Sequence, residues 1–89
     1  MYHHAHTIAR NARFNNCPVI TVHKDYNLKG QPQWEVFIGT NVRGGFKEAT
    51  APTRVEAIEI AKAVAKVSGG FITDVMAQHG RNFRRVALD

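Results

Sequence analysis

The 89-residue sequence predicts no internal disulfide, no membrane span and no secretion signal. It has one cysteine, Cys17, which cannot form an internal disulfide. No apolar run approaches the roughly 18 residues of a membrane-spanning helix. The first residues contain no basic stretch followed by an apolar stretch, the pattern of a signal peptide. We therefore expect a cytoplasmic protein in a reducing compartment, with no membrane partner.

Carboxylates are also scarce, with seven Asp and Glu against twelve Lys and Arg. No two of them are placed as an acid/base pair. Cys17 and His23 are about 20 Å apart along a predicted strand, too far for a catalytic dyad. Structural zinc needs four ligands, usually with paired cysteines, and His3, His4 and His6 alone do not supply them. The sequence predicts no enzyme, no metal site and no cofactor.

Positive charge is concentrated at the two ends of the chain, and the formal net charge is +5. Residues 1–17 contain no acid, and the last segment carries Arg81, Arg84 and Arg85. A basic balance favours anionic partners such as nucleic acid or an acidic protein surface. The alternative is that the charge only keeps a small domain soluble.

One segment has strong helix signals. Thr53 is a good N-cap, Glu56 completes a capping box, and Gly69 suits the position after the last helical turn. Between them, apolar residues recur on one stripe and charged residues on the opposite side. We predict a helix over residues 54–68 that packs on an apolar surface.

Alternating patterns and turn residues predict strands over residues 18–24, 33–40, 42–49, 71–78 and 83–88. A bulge or edge position is expected near Gly44 and Gly45. The order β-β-β-α-β-β predicts an α+β fold, an antiparallel sheet of four to five strands with one main helix on one face. Residues 18–89 form this single domain. Residues 1–17 form either an arm or a short helix with Ile8 and Ala12 inward.

This layout includes a Trp-x-Val strand at Trp34, a later strand with Phe46, a Thr-x-x-Glu-Ala helix start at Thr53 and a His-Gly turn at His79. Over residues 19–88 it resembles a family of small uncharacterised bacterial and phage proteins with a ββ(β)αβ fold. It is similar, less specifically, to the arm-binding domains of phage integrases and to small anti-CRISPR proteins of phages. These resemblances imply a mobile genetic element as the source and carry over no catalytic residues.

The sheet face away from the helix is the candidate binding surface. If Trp34 faces the helix, Phe37 and His23 lie on the opposite face, where they are able to stack on bases. Alternatively, the N-terminal segment folds back and covers Phe37. Arginine and lysine side chains suited to phosphate contact complete the candidate set. The predicted binding residues are Arg10, Arg13, His23, Phe37, Arg43, Lys47, Arg81, Arg84 and Arg85.

The sequence is compatible with three functions. The first is a non-enzymatic accessory protein of phage origin that binds nucleic acid through a basic face. The second is a protein-binding inhibitor of a bacterial defence complex, similar to an anti-CRISPR protein. The third is a homodimer built through an edge strand or the open side of the sheet.

Overall fold

Within residues 4–39 and 45–88, the part of the chain that the computed structural model describes, two helices and five strands form one layered unit. The elements in chain order are α1 (Ala5–Phe14), β1 (Val19–Tyr26), β2 (Pro32–Ile38), β3 (Phe46–Ala51), α2 (Arg54–Val67), β4 (Asp74–His79) and β5 (Asn82–Arg85).

The strands form one sheet in the order β3-β2-β1-β4-β5. The β1–β2, β2–β3 and β4–β5 pairs are antiparallel, but β1 and β4 are parallel, with Ile20 opposite Val75. The α+β class is confirmed, whereas the prediction of a wholly antiparallel sheet is wrong for this pair. The reason is the crossover: α2 returns the chain to the end of the sheet where β1 began, so β4 must run in the same direction as β1.

Helix α2 is the predicted main helix, and its start is confirmed. The Thr53 hydroxyl accepts a hydrogen bond from the backbone N–H of Glu56 at 3.2 Å, as an N-cap does. Its apolar stripe is buried together with the inward residues of the strands. The fully buried larger side chains of this core are Ile20, Val22, Val36, Ile38, Val64 and Val75.

The N-terminal segment forms the short helix α1, with Ile8 and Ala12 buried as expected. It packs against α2, on the same side of the sheet. Arg13 Nη2 donates to the carbonyl of Ser68 at 2.6 Å, and its guanidinium lies 5.0 Å from the centre of the Phe71 ring. Since α1 is tied to α2, it does not cover Phe37, and that alternative is wrong.

Helix α2 ends near the predicted residue, but the next strand starts three residues later than expected. The Ser68 hydroxyl accepts from the N–H of Ile72 at 3.0 Å, and Gly69 and Gly70 have positive φ. This turn holds residues 71–73 outside the ladder, so β4 begins at Asp74. The register shift of β2 and β3 lies between Val36 and Phe37. The predicted bulge residue Gly44 lies outside the described residues.

Candidate binding face of the sheet

The sheet face opposite the two helices, called the open face below, carries two rows of side chains. Strand alternation brings each row to this face, because successive side chains of a strand point to opposite sides. The register places one row across all five strands and most of a second row beside it. The first row is Lys47, Phe37, Thr21, Met76 and Arg85, and the second contains Thr50, Glu35, His23, Gln78 and Phe83.

Three rings meet on this face in a ring cluster of Phe37, His23 and Phe83. The His23 ring lies 4.9 Å from Phe37 at 73° and 4.7 Å from Phe83 at 65°, so both contacts are edge-to-face. His23 is 4% exposed and Phe37 is half-buried, whereas Phe83 is 40% exposed. The phenylalanines therefore form the accessible part of the cluster, with the imidazole packed between them.

The polar contacts of His23 define its chemical state. The Thr21 hydroxyl donates its single proton to the carbonyl of Gly39 at 2.5 Å, so it accepts from His23 Nε2–H at 2.8 Å. Burial lowers the pKa of His23 below its ordinary value of 6.5, against the opposing effect of the Glu35 and Asp25 carboxylates. The ring is therefore neutral near pH 7 and packs between the rings of Phe37 and Phe83.

Two cations among the described residues lie on the open face, one toward each edge. Lys47 Nζ on β3 is 3.5 Å from the buried Glu35 carboxylate, and Arg85 Nη2 on β5 is 2.9 Å from Asp74. Their side chains stay 51% and 73% exposed. Four strand spacings separate these edges, or about 19 Å. Lys47 and Arg85 each keep N–H donors that a ligand can use, and the ring cluster lies between these two side chains.

The structure does not bring the other predicted residues to this face. Arg10 and Arg13 belong to α1, on the helix side, and Arg13 is engaged with Ser68. Arg84 pairs with Ala77, whose side chain is in the core, so Arg84 also faces the helix side. Arg81 lies in the β4–β5 turn. Arg43 lies outside the described residues. The residues brought together are His23, Phe37, Lys47 and Arg85.

Sequence reasoning missed Phe83, the most exposed ring of the cluster. The signal was present, because a hairpin turn over residues 79–82 between the two predicted strands places Phe83 opposite Gln78. Gln78 alternates with Ala77, so its partner faces the open side of the sheet. The carboxylate of Asp74 on β4 pairs with Arg85 on the neighbouring strand β5.

No family model, no curated protein and no solved structure matches the chain. The family resemblance therefore stays a prediction. Among the described residues, no helix has the length and apolar character needed to cross a membrane. Residues 4–39 and 45–88 also contain no group of three or more His, Cys, Asp or Glu side chains placed to hold a metal ion.

Proposed function

We propose that the chain is a non-enzymatic protein that binds single-stranded nucleic acid across the open face. The observation that carries the proposal is the first row of that face, with Lys47 and Arg85 at its ends and Phe37 between them. Stacking of a base on an aromatic side chain contributes about 1–3 kcal/mol to the free energy of binding, and every base can stack in this way. Phe83, next to the row, offers a second stacking surface.

The ion pairs on this face leave room for phosphate contacts. A guanidinium has five N–H donors, and Arg85 contacts Asp74 through Nη2 at 2.9 Å. Lys47 lies at a looser 3.5 Å from its carboxylate. A phosphate can therefore bind Arg85 and Lys47 without displacing Asp74 or Glu35 from these side chains. The net charge of +5 supports the same partner class by attracting polyanions over a longer range.

The proposal predicts weak, salt-sensitive binding. Two phosphate contacts on a single strand give a slope of about −1.4 in a plot of log affinity against log salt. Fluorescence anisotropy with a short labelled oligonucleotide at several salt concentrations measures this slope. Binding that stays constant between low and moderate salt contradicts the proposal, as does the absence of binding at low salt.

Matched variants locate the surface. The double variant K47Q/R85Q removes two charges from the open face, and the control R10Q/K62Q removes two charges from helix surfaces on the other side. We expect the first to abolish most of the salt dependence and the second to keep the slope. Phe83→Leu should weaken binding by about fivefold or more through lost stacking. Equal losses in both double variants would place binding elsewhere.

A protein partner, such as the defence-complex target expected from the sequence, is the second candidate, and a specific observation favours it. Lys47 and Arg85 are each paired with a carboxylate, so the open face is close to neutral around an apolar ring cluster. Such a face suits burial against a protein or a second copy of the chain. Affinity purification with and without nuclease separates a protein partner from a nucleic acid one. Light scattering at two concentrations detects a homodimer.

A further inference from the structure

A groove of about 310 Å³ lies at one end of the sheet. We call it the end groove. It lies where β1 and β4 finish, where β2 begins and where α2 starts. None of its described lining residues is a carboxylate, and three of them carry basic side chains. The lining consists of Lys24, Trp34, Arg54, Gln78, His79 and Gly80.

The strand connections explain why a groove opens at this end. Strands β1 and β4 are parallel neighbours, so both finish at the same end of the sheet. After β1 the chain turns to β2 on one side, and after β4 it turns to β5 on the other. The turns after these two strands therefore leave the end of the sheet in opposite directions, and Arg54 at the start of α2 lies beside them in the groove.

The polar groups of the groove are held in place by hydrogen bonds. Arg54 Nε donates to the carbonyl of Gln78 at 2.9 Å, which fixes the guanidinium and leaves its two Nη groups for an acceptor. The Gln78 side chain accepts from the N–H of Lys24 at 2.9 Å and donates to the carbonyl of Gly80 at 3.0 Å. One glutamine therefore ties the end of β1 to the turn after β4.

The lining combines positive charge with an aromatic surface. Lys24 lies directly across from Trp34 in the β1–β2 register, and the indole is half-buried. Arg54 is the first residue of α2, where the partial positive charge of the helix dipole adds to its own. His79, at the end of β4, supplies ring nitrogens at the groove edge. This set favours an anion that carries a flat ring.

We infer that the end groove binds a nucleoside phosphate, with the phosphate contacted by Lys24, Arg54 and His79 and the base against Trp34. The groove shares Gln78 with the second row of the open face, but this inference does not rest on binding there. A free mononucleotide and the 5′-phosphorylated end of a strand present the same chemistry. Guanidinium and ammonium groups bind phosphate by charge-assisted hydrogen bonds, and indole stacks on any base.

The sole tryptophan of the sequence lies in the groove, so its fluorescence reports binding at the site itself. We expect AMP to change the emission of Trp34 in a saturable way at low salt. Adenosine and inorganic phosphate should each bind about tenfold more weakly, since each lacks one half of the contacts. Equal affinity for AMP and adenosine overturns the phosphate assignment, and equal affinity for AMP and inorganic phosphate overturns the nucleoside assignment.

Matched variants test the residues. Lys24→Gln should weaken AMP binding by about tenfold. Lys62→Gln makes the same change of charge on an exposed part of α2, eight residues or about 12 Å beyond Arg54, and should leave AMP binding unchanged. His79→Asn serves as a second groove variant, and thermal melts establish that each variant is folded. Equal AMP affinity in the Lys24 and Lys62 variants overturns the site.

A comparison of AMP with a 5′-phosphorylated trinucleotide distinguishes a free nucleotide from a strand end as the natural ligand. Saturation by AMP identifies a free nucleotide, and saturation only by a 5′-phosphorylated trinucleotide identifies a strand end. Either result supports the nucleoside phosphate chemistry, and saturation by neither overturns it. The K47Q/R85Q variant of the open face should keep the Trp34 response. Loss of that response in the open-face variant would show that one surface, not two, binds the ligand.

Discussion

The packing of α2 on the sheet is tested by shortening one side chain, Val64. This residue is fully buried in the cluster that joins α2 to β1 and β2. Val64→Ala removes two buried carbon groups, which contribute about 1.6 kcal/mol at about 0.8 kcal/mol each. A cavity of about 50 Å³ that does not collapse adds about 1.2 kcal/mol. The better helix propensity of alanine offsets about 0.6 kcal/mol. We expect a net loss of about 2 kcal/mol in the free energy of unfolding.

The same helix offers a matched control. Val55 is 66% exposed, so Val55→Ala makes the same chemical change without a cavity and should be neutral or slightly stabilising. Thermal and urea denaturation followed by circular dichroism and by Trp34 emission measure both variants. For a domain of this size, about 2 kcal/mol corresponds to a midpoint lowered by roughly 8–15 °C. If the two variants agree within about 0.5 kcal/mol, α2 does not pack as described.

Three further predictions concern stability. Thr53→Ala should cost about 1 kcal/mol because α2 loses its cap, whereas Thr53→Ser should retain most of that stability in the same melts. Burial lowers the pKa of His23 in the folded protein, so the unfolded chain is protonated first as the pH falls. The contribution of His23 to the free energy of unfolding is therefore full above about pH 6.5. Below that pH it decreases by at most about 1.4 kcal/mol per pH unit. Urea titrations at several pH values should show a shallower fall in His23→Gln, and identical slopes would contradict the assignment. Arg13→Ala should cost about 1–2 kcal/mol by releasing the Ser68 carbonyl and the Phe71 ring, and Arg13→Lys should recover only part of it in denaturation curves.

The parts of the fold that local signals define were predictable. The start of α2 follows from Thr53 and Glu56, and its end from the glycines after Ser68, because each signal acts within one helical turn. Strand alternation alone likewise predicts Phe37 and His23 on one face, and the register confirms it. These features depend on residues that are only a few positions apart in the chain, so the pattern that causes them can be read from the sequence.

The parts that depend on distant partners were not predictable. Whether β4 pairs with β1 or with β3 depends on where α2 ends relative to the sheet. No residue within β4 indicates which of the two strands is its neighbour. The division of the arginines between two sides has the same origin. Arg84 and Arg85 are adjacent in sequence, yet their faces follow from the pairing of β5 with β4. The position of Arg13 depends on the docking of α1 on α2.

The central position of β1 has a consequence for biosynthesis. As a ribosome makes the chain, β1, β2 and β3 follow α1 and can pair as a meander, but the other edge of β1 has no partner until β4 has been translated. During that interval a row of backbone N–H and C=O groups is open to a second nascent chain or to a chaperone. A ribosomal pause between α2 and β4 would lengthen this interval. If this protein misassembles, we expect exchange of β4 between two copies to be the route.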